Sequence, residues 1–259
     1  EGSQGVFWYA NGTNNLISSA MQMVNKTLLS NNRIDVWNSG YLINPYMGDN
    51  NAYIYVHSGG TALRVYKTGG YYTWNDFISV AGVASNISVD SGDNFDMYCG
   101  NSGYVENVNI IGGSKNYLNV SMGMANSVYL CGNSNGIVAR NNATVYNVTN
   151  GDFFYSMSGS NSVGYRNCGI KVFGTSILVS NVYASPGSLD IYQNGPFFSV
   201  YIGGDSSTEI CTSVELLNFN LGKYGLYDIN GFGTSVKLTG NNENGSLWLS
   251  NNTLHNMLM

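Results

Sequence analysis

The densest group of residues that could do chemistry is the run VDSGDNFD, which holds Asp90, Asp93 and Asp96. Three carboxylates within one turn could ligate Ca²⁺, a hard cation that binds several oxygen atoms. Paired carboxylates could also serve as the acid and base of a glycosidase or another polysaccharide-cleaving enzyme. The spacing matches neither an EF-hand nor a calcium-binding nonapeptide repeat, so a solvated turn is the favoured interpretation. These aspartates remain calcium candidates, and we predict no catalytic residue.

Other catalytic signatures are absent from the sequence. The chain has two histidines, His57 and His255, and neither belongs to a recognisable motif. His57 stands directly before a Ser-Gly-Gly turn and is interpreted as a surface turn residue. The sequence contains no GxSxG, P-loop, HExxH or dinucleotide-binding fingerprint. We therefore expect no cofactor, and an enzymatic activity is the less favoured hypothesis.

Aromatic residues are the better candidates for ligand binding, because the chain has 20 tyrosines but only 10% charged residues. An exposed tyrosine offers a flat apolar face and a hydroxyl group at a low cost in conformational entropy. The alternative is that these are ordinary strand residues, with half of each run facing inward. The candidate ligand-binding residues are Tyr71, Tyr72, Trp74, Phe153, Phe154 and Tyr155.

Short β-prone runs must position these side chains. Between Ala52 and Tyr98, runs such as AYIYV, ALRVY and FISV are separated by SGG, TGG and AG at intervals of about ten residues, which is typical of short strands closed by glycine turns. Two such units give a coil of about twenty residues, the length of one turn of a parallel β-helix. Within YVENVNI, alternation predicts that Val105, Val108 and Ile110 face inward. Asparagines at the corners can tolerate left-handed backbone geometry and form amide ladders.

The segments SGGTALRVYKTGG and VAGVASNISVDSG resemble the repeat of AIDA-type autotransporter adhesins, in which Ser-Gly-Gly turns alternate with short strands. The resemblance covers about residues 32–136 and continues in degenerate form to about residue 204. It implies a parallel β-helix and a role in adhesion at a cell surface. Such passengers carry few cysteines, whereas this chain has four.

Composition excludes several classes of protein. The net charge is −5 and the ten Lys and Arg residues are scattered, so we expect no nucleic-acid partner. No apolar run reaches the roughly 18 residues that a membrane helix requires. The surface-protein composition favours an extracellular or outer-surface location, with the targeting signal and anchor outside this sequence.

The cysteines show no zinc-ligand spacing. Cys99 and Cys131 share the contexts YCGNSG and LCGNSNG, which suggests equivalent corners of different coils. We expect buried thiols that face inward, with disulfides between neighbouring coils as the alternative. The other two cysteines are Cys168 and Cys211.

The predicted fold is an all-β, single-stranded parallel β-helix with a short N-terminal capping helix. Residues 1–31 form the cap, 32–204 the coils, and 205–259 the last coils and the C-terminal end. Residues 14–29 carry apolar side chains at helical spacing and are the predicted capping helix; a partner-binding helix and a strand are the alternatives.

The predicted function is that of an extracellular adhesin or surface scaffold whose repetitive face binds host or microbial surface glycans or proteins. Self-association through coil ends or edges is also possible. The alternatives are a β-helical carbohydrate-active enzyme, such as a phage tailspike-like polysaccharide depolymerase, and a structural fibre segment without a ligand.

Overall fold

The described part of the chain is entirely β-structure and turns. The computed structural model describes residues 7–8, 14–17, 21–28, 31–48, 51–68, 77–90, 95–112, 115–130, 135–150, 168–173, 175–184, 198–202, 212–220, 225–230, 236–239, 246–250 and 257–258. Side-chain burial is described for most of these residues up to residue 149. No helix occurs within these ranges.

The described strands are short and follow one another at regular intervals. In chain order they are β1 (Phe7–Trp8), β2 (Asn14–Ile17), β3 (Gln22–Val24), β4 (Thr27–Leu28), β5 (Arg33–Val36), β6 (Tyr41–Ile43), β7 (Tyr46–Met47), β8 (Tyr53–Val56), β9 (Thr61–Leu63), β10 (Tyr66–Lys67), β11 (Phe77–Val80), β12 (Val83–Val89), β13 (Asp96–Gly100), β14 (Tyr104–Ile110), β15 (Tyr117–Ser121), β16 (Met124–Leu130), β17 (Gly136–Arg140), β18 (Thr144–Asn150), β19 (Cys168–Phe173), β20 (Thr175–Ala184), β21 (Phe198–Ile202), β22 (Thr212–Asn220), β23 (Gly225–Asn230), β24 (Val236–Thr239), β25 (Ser246–Ser250) and β26 (Met257–Leu258).

These strands build two parallel sheets of a β-solenoid, which confirms the predicted fold class. The first sheet has 12 strands in the order β1-β2-β5-β8-β11-β13-β15-β17-β19-β21-β23-β25. The second sheet has 14 strands, from β4 and β3 at one end to β26 at the other. The chain passes from the first sheet to the second and back in every coil.

The strand register confirms a coil of about twenty residues. Arg33 pairs with Tyr53, an offset of 20, and Tyr53 pairs with Phe77, an offset of 24. Some later coils are longer, since Gly136 pairs with Gly169, an offset of 33, whereas Leu226 pairs with Ser246, an offset of 20. In parallel sheets each strand needs a long connection before the next, and here the connection is the rest of the coil.

Stacked aliphatic side chains fill the interior between the two sheets. Every second residue of a strand faces inward, so residues at the same coil position form a column along the solenoid. One column holds Ile34, Ile54, Ile78, Met97 and Leu118, and each of these residues is fully buried. Burial of such side chains stabilises the fold by about 1.5–3 kcal/mol each.

One column of the second sheet contains a lysine. Lys67 pairs with Met47 on one side and Val89 on the other, and it is fully buried. Its Nζ donates a hydrogen bond to the backbone oxygen of Thr68 at 3.4 Å. The aliphatic stem therefore continues the apolar column, while the ammonium group reaches a backbone carbonyl just beyond the strand.

Asparagines make a ladder along the second sheet. Asn86, Asn107 and Asn147 have positive φ angles of 56°, 53° and 56°. Asn107 Nδ2 donates to Asn86 Oδ1 at 3.3 Å, and Asn181 Nδ2 donates to Asn147 Oδ1 at 3.1 Å. The left-handed residue inserts one extra outward-facing position into the strand's alternation of inward-facing and outward-facing side chains. For this reason Val105 and Val108, on either side of Asn107, are both buried as predicted, together with Ile110.

The predicted capping helix is wrong. Residues 14–29 contain β2, β3 and β4 instead, and these strands pair in parallel with β5, β6 and β7 of the next coil. Val24, which lies on the predicted apolar helix face, is 50% exposed. Partner strands one coil away satisfy the backbone of this segment, and this pairing overrides its helical periodicity. The edge of the first sheet is covered by β1, which runs antiparallel to β2.

Cys99 is a buried free thiol, as expected. It lies in β13 of the first sheet, whereas Leu130, the residue before Cys131, ends β16 of the second sheet. The segments YCGNSG and LCGNSNG therefore start on different sheets, and the proposed equivalence of their corners is wrong. Cys131 and Cys211 lie outside the described residues, and of Cys168 only the backbone, at the start of β19, is described.

Glycines form the corner that leads from the first sheet to the second. Val83 N donates to Gly60 O, and Tyr104 N donates to Gly82 O, so each corner is bonded to the preceding one. A Cβ atom on Gly103 would lie 2.1 Å from the backbone oxygen of Val80. The coils approach each other too closely at this corner to admit a side chain.

We expect Gly103→Ala to lower the free energy of unfolding by about 1–3 kcal/mol, because the added methyl group overlaps with backbone that cannot move without breaking the register. Chemical denaturation of the two proteins measures the difference. Gly48→Ala is the control and should cost less, since its Cβ would meet the ring of Tyr46, a side chain that is 38% exposed, rather than the backbone of a neighbouring coil. Equal losses in the two variants would contradict the close approach at Gly103.

Cys99 should resist thiol reagents in the folded protein. Burial raises the pKa of its thiol to about 11, so the reactive thiolate is scarce at pH 8. We expect the peptide that contains Cys99 to remain unlabelled in native protein and to be labelled after unfolding in urea, as measured by mass spectrometry. Labelling of native Cys99 at the rate seen in urea would show that the side chain does not face inward.

Candidate functional site

The aromatic residues predicted from the sequence to bind a ligand lie outside the described residues. They are Tyr71, Tyr72, Trp74, Phe153, Phe154 and Tyr155. The same holds for Asp93. Their role therefore stays a prediction.

Asp90 and Asp96 are held by neighbouring side chains. Asp90 follows β12 and accepts hydrogen bonds from Tyr66 and from Ser88, the latter at 2.7 Å. Asp96 begins β13 of the other sheet and accepts a hydrogen bond from Asn119 at 3.5 Å. Partial burial of its carboxylate raises the pKa of Asp96. Within the described residues, no three His, Cys, Asp or Glu side chains are grouped so as to hold a metal ion.

A group of side chains that the sequence analysis did not identify as a candidate site lies on the outer face of the first sheet. It consists of Arg33, Asp35, Trp37, Tyr55 and His57, which we call the aromatic-ionic cluster. Strand β5 and the residue after it supply the first three, and β8 and the residue after it supply the other two. Alternation turns these residues outward because Ile34, Val36, Ile54 and Val56 between them face the core.

Asp35 is the ionic centre of the cluster. Its carboxylate accepts two hydrogen bonds from Arg33, from Nε at 2.6 Å and from Nη2 at 2.7 Å. His57 Nε2 donates a third at 2.9 Å. Desolvation acts to raise the pKa of Asp35, but the hydrogen bonds from Arg33 and His57 outweigh it, and the pKa lies below its ordinary value. The hydrogen bond to Asp35 also raises the pKa of Arg33.

The aromatic rings of the cluster form a layered platform. The rings of Trp37 and His57 stack with centroids 3.7 Å apart and planes 8° from parallel. Tyr55 lies beside His57, with centroids 6.4 Å apart and planes 20° from parallel. The guanidinium carbon of Arg33 lies 4.2 Å from the centroid of the Tyr55 ring, within the range of a cation–π interaction. Trp37 nevertheless remains 44% exposed.

Tyrosines on the outer face of the second sheet make a smaller group. Tyr46 pairs with Tyr66 one coil away, and their ring centroids are 5.7 Å apart. Both residues are 38% exposed. Their hydroxyl groups are occupied, since Tyr46 bonds to Thr68 and Tyr66 donates to Asp90. This arrangement stabilises neighbouring coils and offers less ring surface than the aromatic-ionic cluster.

The aromatic-ionic cluster has the chemistry of a contact surface. An exposed indole held rigidly by a second ring can pack against the apolar face of a ligand at a low entropic cost. Asp35 accepts hydrogen bonds from Arg33 and His57 and thereby orients both side chains. Reasoning from the sequence missed the cluster because it took His57 for an isolated turn residue. The signal was the 20-residue offset that aligns RIDVWNSG with YIYVHSGG.

Comparison with known proteins adds no assignment: no protein-family model matches the chain, and no curated protein is significantly similar to it. Across the described ranges, none of the secondary structure is a helix of the length and hydrophobicity needed to cross a membrane.

The lowered pKa of Asp35 predicts a specific pH dependence of stability. Because the folded pKa lies below the unfolded value, near 3.8, the carboxylate stabilises the fold above that pH, and the contribution is lost as the pH falls through the folded pKa. We therefore expect Asp35→Asn to lower the urea midpoint at pH 5, and the difference from wild type to shrink towards pH 2.

Asp96→Asn provides the comparison of opposite sign. Its raised folded pKa means that the charged carboxylate costs stability once the pH rises above the unfolded value. The neutral amide should then leave the urea midpoint at pH 5 unchanged or higher. If Asp35→Asn were neutral at pH 5, the ionic centre of the cluster would contribute nothing to the fold.

Proposed function

We propose that this protein is an extracellular adhesin or surface scaffold that binds glycans or proteins on host or microbial surfaces. The solenoid is the rigid frame, and its outer face carries the binding side chains. Each contact with a polymer is weak, but a polymeric ligand presents many copies of its unit, so that avidity multiplies individual affinities. The resemblance of the glycine-turn repeats to AIDA-type autotransporter passengers supports the same proposal.

The observation that carries the proposal is the aromatic-ionic cluster. A Trp ring that is 44% exposed yet stacked at 3.7 Å on His57 is a preorganised contact surface. Arg33, 44% exposed at the side chain, adds a polar group beside it. Aromatic and arginine side chains of this kind dominate binding energies at protein surfaces.

The acidic side chains support binding over hydrolysis. A retaining or inverting glycosidase needs two carboxyl groups facing each other across the scissile bond. In the part of the chain whose side chains are described, Asp35, Asp90, Asp96 and Glu106 each accept a hydrogen bond from a neighbour on their own sheet face. A depolymerase and a structural fibre are the alternatives that the binding test distinguishes.

The test is incubation of the protein with dextran, mannan, galactan and polygalacturonate, followed by size-exclusion chromatography that records bound protein and polymer length. We expect binding without shortening. Shortened polymer would replace the adhesin with a depolymerase, and the absence of binding to all four polymers would leave an adhesin for proteins or the structural fibre.

Two variants connect the binding to the cluster. Trp37→Ala should weaken binding about tenfold, since an aromatic contact contributes about 1.5 kcal/mol. Tyr41→Ala is the matched control, because Tyr41 is 39% exposed on the second sheet and lies outside the cluster. If the two substitutions weakened binding equally, the cluster would not be the binding site.

A further inference from the structure

We propose that a trough beside the aromatic-ionic cluster holds a single neutral pyranose ring of a glycan chain. The trough floor is formed by Ser79 and Ala81, and its walls are formed by Tyr55 and His57 on one side and Tyr98 on the other. This inference rests on the proposed glycan-binding function and adds to it the place and the chemical class of the bound unit.

Register produces the trough by placing small residues between two rows of rings. Ser79 of β11 pairs with Tyr55 of the preceding coil and with Tyr98 of the following coil. Ala81 follows β11, and its N–H bonds to the backbone oxygen of Val56, which directly precedes His57. The side chains of the middle row are a hydroxymethyl and a methyl group. The side chains on either side, Tyr55 and His57 in one row and Tyr98 in the other, are therefore larger than those of the middle row.

The walls of the trough are fixed in orientation. Trp37 covers the face of His57 that points to the preceding coil, and Arg33 covers the corresponding face of Tyr55. The opposite faces of these two rings are therefore directed towards the row of Ser79 and Ala81. The ring planes of Tyr55 and His57 differ by only 20°, so the two make one continuous wall.

The far wall and one end are also aromatic. A Cβ atom on Gly100 would lie 2.4 Å from Cε1 of Tyr98, so the Tyr98 ring extends along its strand over the glycine. Phe77 closes one end, with its ring centroid 5.7 Å from that of Tyr55 and its plane tilted by 54°. Because Gly100 has no side chain, the Tyr98 ring can lie in this position.

The width of the trough matches one ring. Its two walls belong to strands two positions apart in the sheet, about 9.5 Å. A ring between them would lie about 4.7 Å from each wall, close to the shorter ring-to-ring distances at which aromatic side chains pack. A pyranose has apolar C–H faces that fit such a slot, while its equatorial hydroxyl groups lie near the ring plane and can reach the hydroxyl of Ser79 on the floor and that of Tyr98.

Charge favours a neutral sugar over an acidic one. The guanidinium of Arg33 is neutralised by Asp35 through a bidentate contact. Asp96 pairs with Phe77 at the closed end of the trough, and the whole chain has a net charge of −5. A sugar carboxylate placed here would meet a negative group without a compensating cation.

The test compares a variant that fills the trough with one that adds the same ring elsewhere. Ala81→Phe should place a third ring on His57 and weaken binding to immobilised mannan, dextran or galactan at least tenfold in biolayer interferometry. Val83→Phe adds a ring to the second sheet, on the same coil, at a residue that is 40% exposed, and should bind as wild type. Circular dichroism and the urea midpoint check that both variants fold.

A second measurement needs no variant. Diethyl pyrocarbonate modifies histidine, and the chain has only His57 and His255. Saturating mannan, or whichever of the three neutral polymers binds, should slow modification of His57 in wild-type protein at least threefold, with His255 as the internal reference.

The outcomes separate this inference from the proposed function. Neutral-polymer binding that survives Ala81→Phe, or that leaves His57 unprotected, keeps the adhesin and overturns the trough. Tighter binding to polygalacturonate than to the three neutral polymers overturns the ligand class. Failure to bind any of the four polymers overturns the trough and the glycan-binding form of the adhesin.

Discussion

Backbone hydrogen bonds between successive coils set the position of every other group in this solenoid. Tyr104 N donates to Gly82 O, and Met124 N donates to Gly103 O, so that each coil repeats the path of the one before it. Strands bonded in this way lie about 4.8 Å apart. Residues at the same coil position must therefore stack. Each column has to be filled with side chains that can pack against a similar side chain in the next coil. Aliphatic groups satisfy this condition in the core, amides in the ladder and rings on the surface.

The same repetition explains why an ionic and aromatic group can persist on the surface. Parallel stacking brings Trp37 within 3.7 Å of His57 and allows His57 to reach Asp35 of the preceding coil. An isolated exposed ion pair contributes little to stability because solvent screens it and two long side chains lose freedom. Here the strand register holds the partners near one another before they interact. The contacts therefore serve mainly to hold the side chains of the cluster in fixed orientations, as the proposed binding surface requires.

The sequence predicted the parts of the structure that depend on local repetition. Turn glycines spaced by about ten residues indicated the solenoid, and alternation identified Val105, Val108 and Ile110 as core residues. Prediction from the sequence failed where pairing with a residue distant in the chain determines the structure. Residues 14–29 have helical periodicity, but strands one coil away pair with them instead. The aromatic-ionic cluster was missed for a related reason. Trp37 and His57 can be recognised as neighbours only when the length of one coil, 20 residues here, is known.

Up to residue 184, the two corners of each coil differ in how much chain they accept. At the glycine corner, β11 ends at Val80 and β12 begins at Val83, and β15 and β16 are separated equally tightly, by residues 122 and 123. At the other corner the connection ranges from four residues between Leu28 and Arg33 to seventeen between Asn150 and Cys168. In this part of the chain, insertions and deletions can therefore accumulate at one corner without shifting the register of either sheet. Evolution, or a protein engineer who wishes to display a peptide, can vary the loops along this single ridge while the frame stays constant.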